Sequence, residues 1–194
     1  KMHILSIICF VMLAAMYCQA HYIDDGECAY HISGVLDHPV RSKIAAVCFM
    51  VCCAIFANTE GKRHIPWREC RVTMFVLLGI ASVMTSLVTE GDYPRLHICC
   101  ASITFTVMLC TGVVWCVATS CIGCCTHAMI FTTVVYILHG IMLGHEMTSG
   151  NMVGVGIYEF ICLWMGFYLA NMVDDATSFH QMCSERNAML LLTN

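Results

Sequence analysis

The chain has 194 residues, of which 59% are hydrophobic and 11% charged, and its mean hydropathy is +0.77. Soluble domains run about 25% charged, and a soluble core of this length cannot hide so much apolar surface. The formal charge of −4 and the lack of any basic run leave no footing for nucleic acid.

A helix needs about 20 mostly apolar residues to cross a ~30 Å hydrocarbon core. Six apolar stretches are candidates. The first, about 4–18, reads two ways. It is either a span or, with Lys1-Met2-His3 before it and Tyr17-Cys18-Gln19-Ala20 after it, a secretory signal with a small-residue cleavage site. Five stronger stretches follow at about 43–59, 71–89, 97–119, 127–144 and 153–173. Short polar loops separate them, and no linker or repeat divides the chain. The expectation is therefore one domain over 1–194. Its fold class is all-α, a polytopic membrane bundle of six transmembrane helices, or five if the N-terminal segment is removed.

With six spans, one side carries Lys1, Lys62, Arg63, Arg68, Arg71 and Arg186, and the other carries Arg41, Lys43 and Arg95. The positive-inside rule puts the first set in the cytosol and the loops at about 19–42, 89–96 and 145–152 in the lumen. Most of the sixteen cysteines, Cys52, Cys53, Cys110 and Cys162 among them, lie within apolar stretches. There a free thiol acts as a small hydrophobe. Cys18 and Cys28 are spaced so that a disulfide is allowed but not required.

Ionisable groups inside a span are costly, by at least about 2.5 kcal/mol at its centre, and so point to function. Glu159 lies six residues into the last stretch, and His139 lies about six residues before the preceding one ends. At ~1.5 Å rise per residue both sit about 9 Å below the luminal face, where a hydrogen bond between them is feasible. A purely structural pair that fixes helix rotation is the equal alternative. His97 opens the 97–119 stretch. Glu90 and Asp92 lie on one luminal loop and His145 and Glu146 on another. His21, Asp24, Asp25, Glu27, His31, Asp37 and His38 crowd the first loop. Such groups serve acid–base chemistry or simply form a solvated rim. No spacing matches a metal motif, and no cofactor fingerprint is present. On the cytosolic side Cys121-Ile122-Gly123-Cys124-Cys125-Thr126-His127 reads as inert, as an S-palmitoylation site, or as a cramped zinc site.

Several runs carry a resemblance. They are Leu87-Val88-Thr89-Glu90-Gly91-Asp92-Tyr93-Pro94-Arg95-Leu96-His97, Cys70-Arg71-Val72-Thr73-Met74-Phe75, His145-Glu146-Met147, Gly156-Ile157-Tyr158-Glu159-Phe160 and Asp174-Asp175. In span order, loop length and these residues the chain resembles the FRAG/DRAM/SFK family of six-span membrane proteins. It is most similar to the branch that completes lipid remodelling of GPI anchors. Arg71, Asp92, His97, His145 and Glu159 match that branch. The chain departs from it at Ile80, where the branch has an acid, at Ala170-Asn171, where it has a histidine, and at Tyr22-Ile23-Asp24-Asp25-Gly26.

The resemblance implies a GPI-anchor lipid remodelling factor in the Golgi or endoplasmic reticulum membrane. Its partners would be membrane lipids and a GPI lipid or GPI-anchored protein. His97 and His139 would act with Glu159 in catalysis, His97 as base toward a lyso-lipid hydroxyl and Glu159 orienting an imidazole. His145, Asp92 and Arg71 would bind the substrate. The same family also holds non-enzymatic modulators of lysosomal membranes and autophagy, which is the alternative function. A small transporter is disfavoured, since no span carries paired Gly/Pro breaks.

Overall fold

The computed structural model describes residues 7, 8, 11, 12, 14–16, 18, 19, 32–63 and 65–192. The polar residues at 21–31, and with them Cys28 of the Cys18–Cys28 pairing, fall outside them, as does part of the N-terminal stretch. Among the described residues the chain is helical with no strand. The helices are α1 (Ile32–Leu36), α2 (Pro39–Lys62), α3 (Arg68–Leu87), α4 (Pro94–Cys121), α5 (His127–Ser149) and α6 (Met152–Leu192). The last five are long and apolar enough to cross a membrane, and together they make a helical membrane bundle. Within the most apolar window of each, only 28–39% of residues are buried against the rest of the protein. The remainder presents apolar surface outward, as contact with lipid allows and contact with water does not.

Local chemistry sets the helix ends. Pro39 and Pro94 open α2 and α4, where the missing N–H costs nothing. The His38 ring accepts from the Val40 N–H at 3.3 Å, and the Thr126 hydroxyl accepts from the Met129 N–H at 3.2 Å. Gly150 ends α5 at φ 76°, in the left-handed region that favours glycine.

Two of these boundaries differ from the sequence expectation. The loop expected over about 19–42 contains α1 and the first turn of α2. The last helix does not stop near 173 but continues as one rod to Leu192. Asp174-Asp175 mark where apolar content falls, and the backbone stays helical beyond them.

The helices pack in chain order, α2 closely on α3, α3 on α4, and α6 on α5, with α4 also touching α6. A Cβ on Gly79 would lie 3.1 Å from the Cβ of Cys53, so α2 and α3 meet at near-backbone distance. Backbone packing between α2 and α6 is slight, and side chains fill the space. Met16 packs with Ile32, Val35, Leu36 and Ala45, and partly buried Met12, Phe49, Phe160 and Leu163 join them. Deeper in the bundle, Phe56 stacks on Phe75 at 5.2 Å, and Phe75 meets Trp115 at 5.4 Å.

Candidate functional site

The two ends of the bundle have different chemistry. At one end the α2–α3 turn gathers Arg63 and Arg71. The Arg71 Nε donates to Glu60 Oε2 at 2.7 Å, and its Nη1 donates to the carbonyls of Ile65, at 2.9 Å, and Pro66. Arg63 donates to Glu60 Oε1 at 2.5 Å and to Asp174 Oδ1 of α6 at 2.6 Å. Arg71 and Glu60 are fully buried. Their charges are tolerated because each is paired and hydrogen-bonded. This network ties α2, α3 and α6 together.

The opposite end holds the other predicted residues. The strongest feature there is a lid. α1 lies across the bundle with Ile32, Val35 and Leu36 buried beneath it. Glu159, 3% exposed, accepts from the Ile32 N–H through Oε2 at 2.6 Å. At the other end of α1, the buried Arg41 donates from Nε to the Val35 carbonyl at 2.8 Å. An acid thus meets free amides at the start of this short helix, and a base meets carbonyls at its finish. Asp37, just after α1, accepts from the Gly91 N–H at 3.2 Å. That contact fixes the lid to the α3–α4 loop, and Gly91 permits it, since a Cβ there would come 2.9 Å from Asp37 Oδ2.

His97 is buried, 3% exposed, and its Nδ1 lies 2.5 Å from the Val88 carbonyl. A carbonyl only accepts, so Nδ1 carries a proton, and in the neutral form of the ring the lone pair lies on Nε2. That Nε2 is buried with no hydrogen-bond partner among the described residues.

The expected Glu159–His139 hydrogen bond is not formed. The His139 Nδ1 donates to the carbonyl of Val135, one turn back in its own helix, at 2.8 Å, and the ring lies 5.9 Å from Tyr158. Glu159, one residue on from Tyr158, points instead at α1. The geometry therefore does not have Glu159 orienting this imidazole. Asp92 caps its own loop, accepting from the Thr89 hydroxyl at 2.8 Å. His145 is largely exposed, 3.8 Å from Glu146, whose Oε2 accepts from Asn151 at 2.6 Å. Arg71 stands at the far end of the bundle with its guanidinium engaged, so the fold does not bring it to the residues near Glu159. Sequence reading missed Glu60, Arg41 and α1. Glu60 falls directly after the 43–59 stretch and drew no reading from the sequence; an acid at the very edge of an apolar run is the signal that marks it.

Between the two ends runs a cleft of about 130 Å³. Ile32, Leu36 and Glu159 bound it under the lid, and Phe56, Phe75 and Trp115 bound it toward the Arg71 end. Its walls also include Thr85, Ser86, Thr104 and Thr111, whose hydroxyls bond to carbonyls one turn back or, for Thr85 and Thr104, also to each other at 2.9 Å. The interior is thus close to purely apolar, with one carboxylate at its mouth.

Near the Arg71 end, Cys124 and Cys183 line a second cavity with His180 and Asp175. Among the described residues no group of three or more His, Cys, Asp or Glu side chains is placed to hold a metal ion, so the C-x-x-C loop does not assemble a zinc site from them. No family model, no curated protein and no solved structure matches this chain.

Proposed function

We propose that this chain is a lipid-handling membrane protein that takes part in GPI-anchor lipid remodelling in the Golgi or endoplasmic reticulum. One observation carries the reading: an apolar cleft inside a membrane bundle, closed by a lid pinned to the buried carboxylate of Glu159. Acyl chains suit such walls, and a polar headgroup suits the rim where Asp92, His145 and Glu146 stand. His97 supports the chemical part. A buried imidazole with its proton fixed on Nδ1 offers Nε2 as a base toward a lipid hydroxyl. The specific link to GPI lipids rests on the resemblance of the loop and span residues to the FRAG/DRAM/SFK family. By the positive-inside rule this end faces the lumen, where GPI anchors reside.

The test is mass spectrometry of GPI lipids from cells that lack their own remodelling factor and are given this chain or its variants. The expected result is that the chain restores the remodelled lipid composition, while His97→Ala and Glu159→Ala do not. Unchanged lipids with the intact chain would sink the function. Full restoration by both variants would sink the site and leave the function standing. Residence in lysosomes with unaltered GPI lipids would instead favour the membrane-modulator branch of the family.

A further inference from the structure

The deep half of the cleft, away from Glu159, contains two hydrogen-bonding groups without partners. Trp115 is 4% exposed, and its Nε1–H meets no acceptor among the described residues. Tyr136, on α5, is 1% exposed and lines the same cleft. Its hydroxyl lies where a Cβ on Gly166 would come within 3.2 Å, and it makes no hydrogen bond to a described residue. Gly112 seats the Tyr136 ring, since a Cβ there would approach it to 3.3 Å. The nearby hydroxyls of Thr85, Ser86, Thr104 and Thr111 bond back to their own helices. A polar group left unpaired in apolar surroundings is costly. Water is a poor remedy, because apolar walls give it too few partners.

Size and depth narrow the occupant. The cleft has about 130 Å³, close to the ~150 Å³ cavity that holds benzene in an engineered protein. It takes a length of chain and excludes a headgroup. Trp115 lies six residues before the end of the 28-residue α4, or about 9 Å along the axis. A helix of that length, about 42 Å, covers the hydrocarbon core and both interfaces. The indole therefore sits a few ångströms inside the hydrocarbon boundary at the Arg71 end, the depth of a bilayer lipid's acyl carbonyls.

We propose that the deep end of the cleft binds the acyl chain of a lipid from the leaflet at the Arg71 end, with its carbonyl oxygen accepting from Trp115 Nε1–H. This site is separate from the Glu159 mouth and does not depend on the GPI reading. A diacyl lipid's ester and a free fatty acid share the required carbonyl, and the experiment tells them apart.

The full chain, in nanodiscs, is photolabelled with a diazirine-bearing methyl palmitate in competition with methyl palmitate, palmitate or heptadecane. Labelled peptides are expected from the cleft walls of α4, α5 or α6. The better of the two carbonyl competitors should outcompete heptadecane about five-fold, the net worth of one neutral hydrogen bond. Trp115→Phe, which keeps a ring in place, should abolish that margin. Ester ahead of acid assigns a diacyl lipid, and acid ahead of ester assigns a free fatty acid. Equal competition by heptadecane, labels confined to the outer helix faces, or a margin that survives the substitution would overturn the proposal. None of these readouts involves a GPI lipid, so failure here is distinct from failure of the remodelling test.

Discussion

At the scale of single residues, the carboxyl group of Glu159 does two things: it brings a polar group into the bundle and it holds down α1. Replacing it with alanine leaves the Ile32 amide buried without an acceptor, a cost of about 1–3 kcal/mol. Glu159→Gln keeps an acceptor and should lose less than Glu159→Ala. Thermal unfolding in detergent would measure the order, and equal losses would contradict the lid bond. A second expectation concerns Cys124. Burial, and then the neighbouring Cys183, push its thiol above the ordinary cysteine range. The thiolate is the reactive form, so at neutral pH Cys124 should alkylate more slowly than the exposed Cys121, and its rate should keep climbing as the pH passes 9. Peptide mapping after a short iodoacetamide pulse checks this, and Cys183→Ser should speed Cys124. Glu159 and His97 were legible in the sequence because an ionisable residue in or beside an apolar run stands out. Their partners were not, since the Ile32 amide and the Val88 carbonyl are backbone groups that every residue type supplies.

At the scale of the element, the bundle turns on which glycines face a neighbour. Gly79 meets Cys53 on α2, and a bulky side chain must push the two helices apart. Gly79→Leu should therefore cost about 1–3 kcal/mol as overpacking. Gly144, within α5, has nothing within 4 Å of a built Cβ. Gly144→Ala should be neutral or stabilising by about 0.5–1 kcal/mol, because alanine loses less backbone freedom in a helix. Melting temperatures of the two variants against the parent would show opposite displacements. The spanning elements themselves were readable from apolar runs, with ends displaced by a few residues where the helix continues into polar sequence, as at Pro39 and Ser149. The α6 extension from Asp174 to Leu192 was not readable, because the hydropathy that marks a span fades there while helical backbone continues. α1 escaped notice because five residues carry too little periodicity to see.

At the scale of the whole molecule, slight backbone packing between α2 and α6 leaves their association to side chains and to one charged cluster. Glu60, Arg63, Arg71 and Asp174 join α2, α3 and α6 at a single point. Arg71→Met leaves Oε2 of the buried Glu60 without its ion-pair partner, Arg63 holding only Oε1, and should destabilise the protein by up to about 3–5 kcal/mol, whereas Glu60→Met with Arg71→Met should recover most of that loss. If the double variant unfolds as easily as the single, the cluster is not acting as a compensated pair. The number of crossings and the pairing of chain neighbours followed from stretch count and short loops. The cleft did not, because its width is set by which side chains fill it and by an ionic contact between residues far apart in sequence, Arg63 to Asp174. The unbroken α6 has a mechanical consequence. Its 41 residues make a shaft about 60 Å long, with Glu159 near one tip and the helix running on past Asp174 at the other. With Arg63 gripping it at Asp174 as a pivot, leaning the projecting tip one way swings the opposite tip the other way. Whatever leans on that tail pulls on the latch of the cleft.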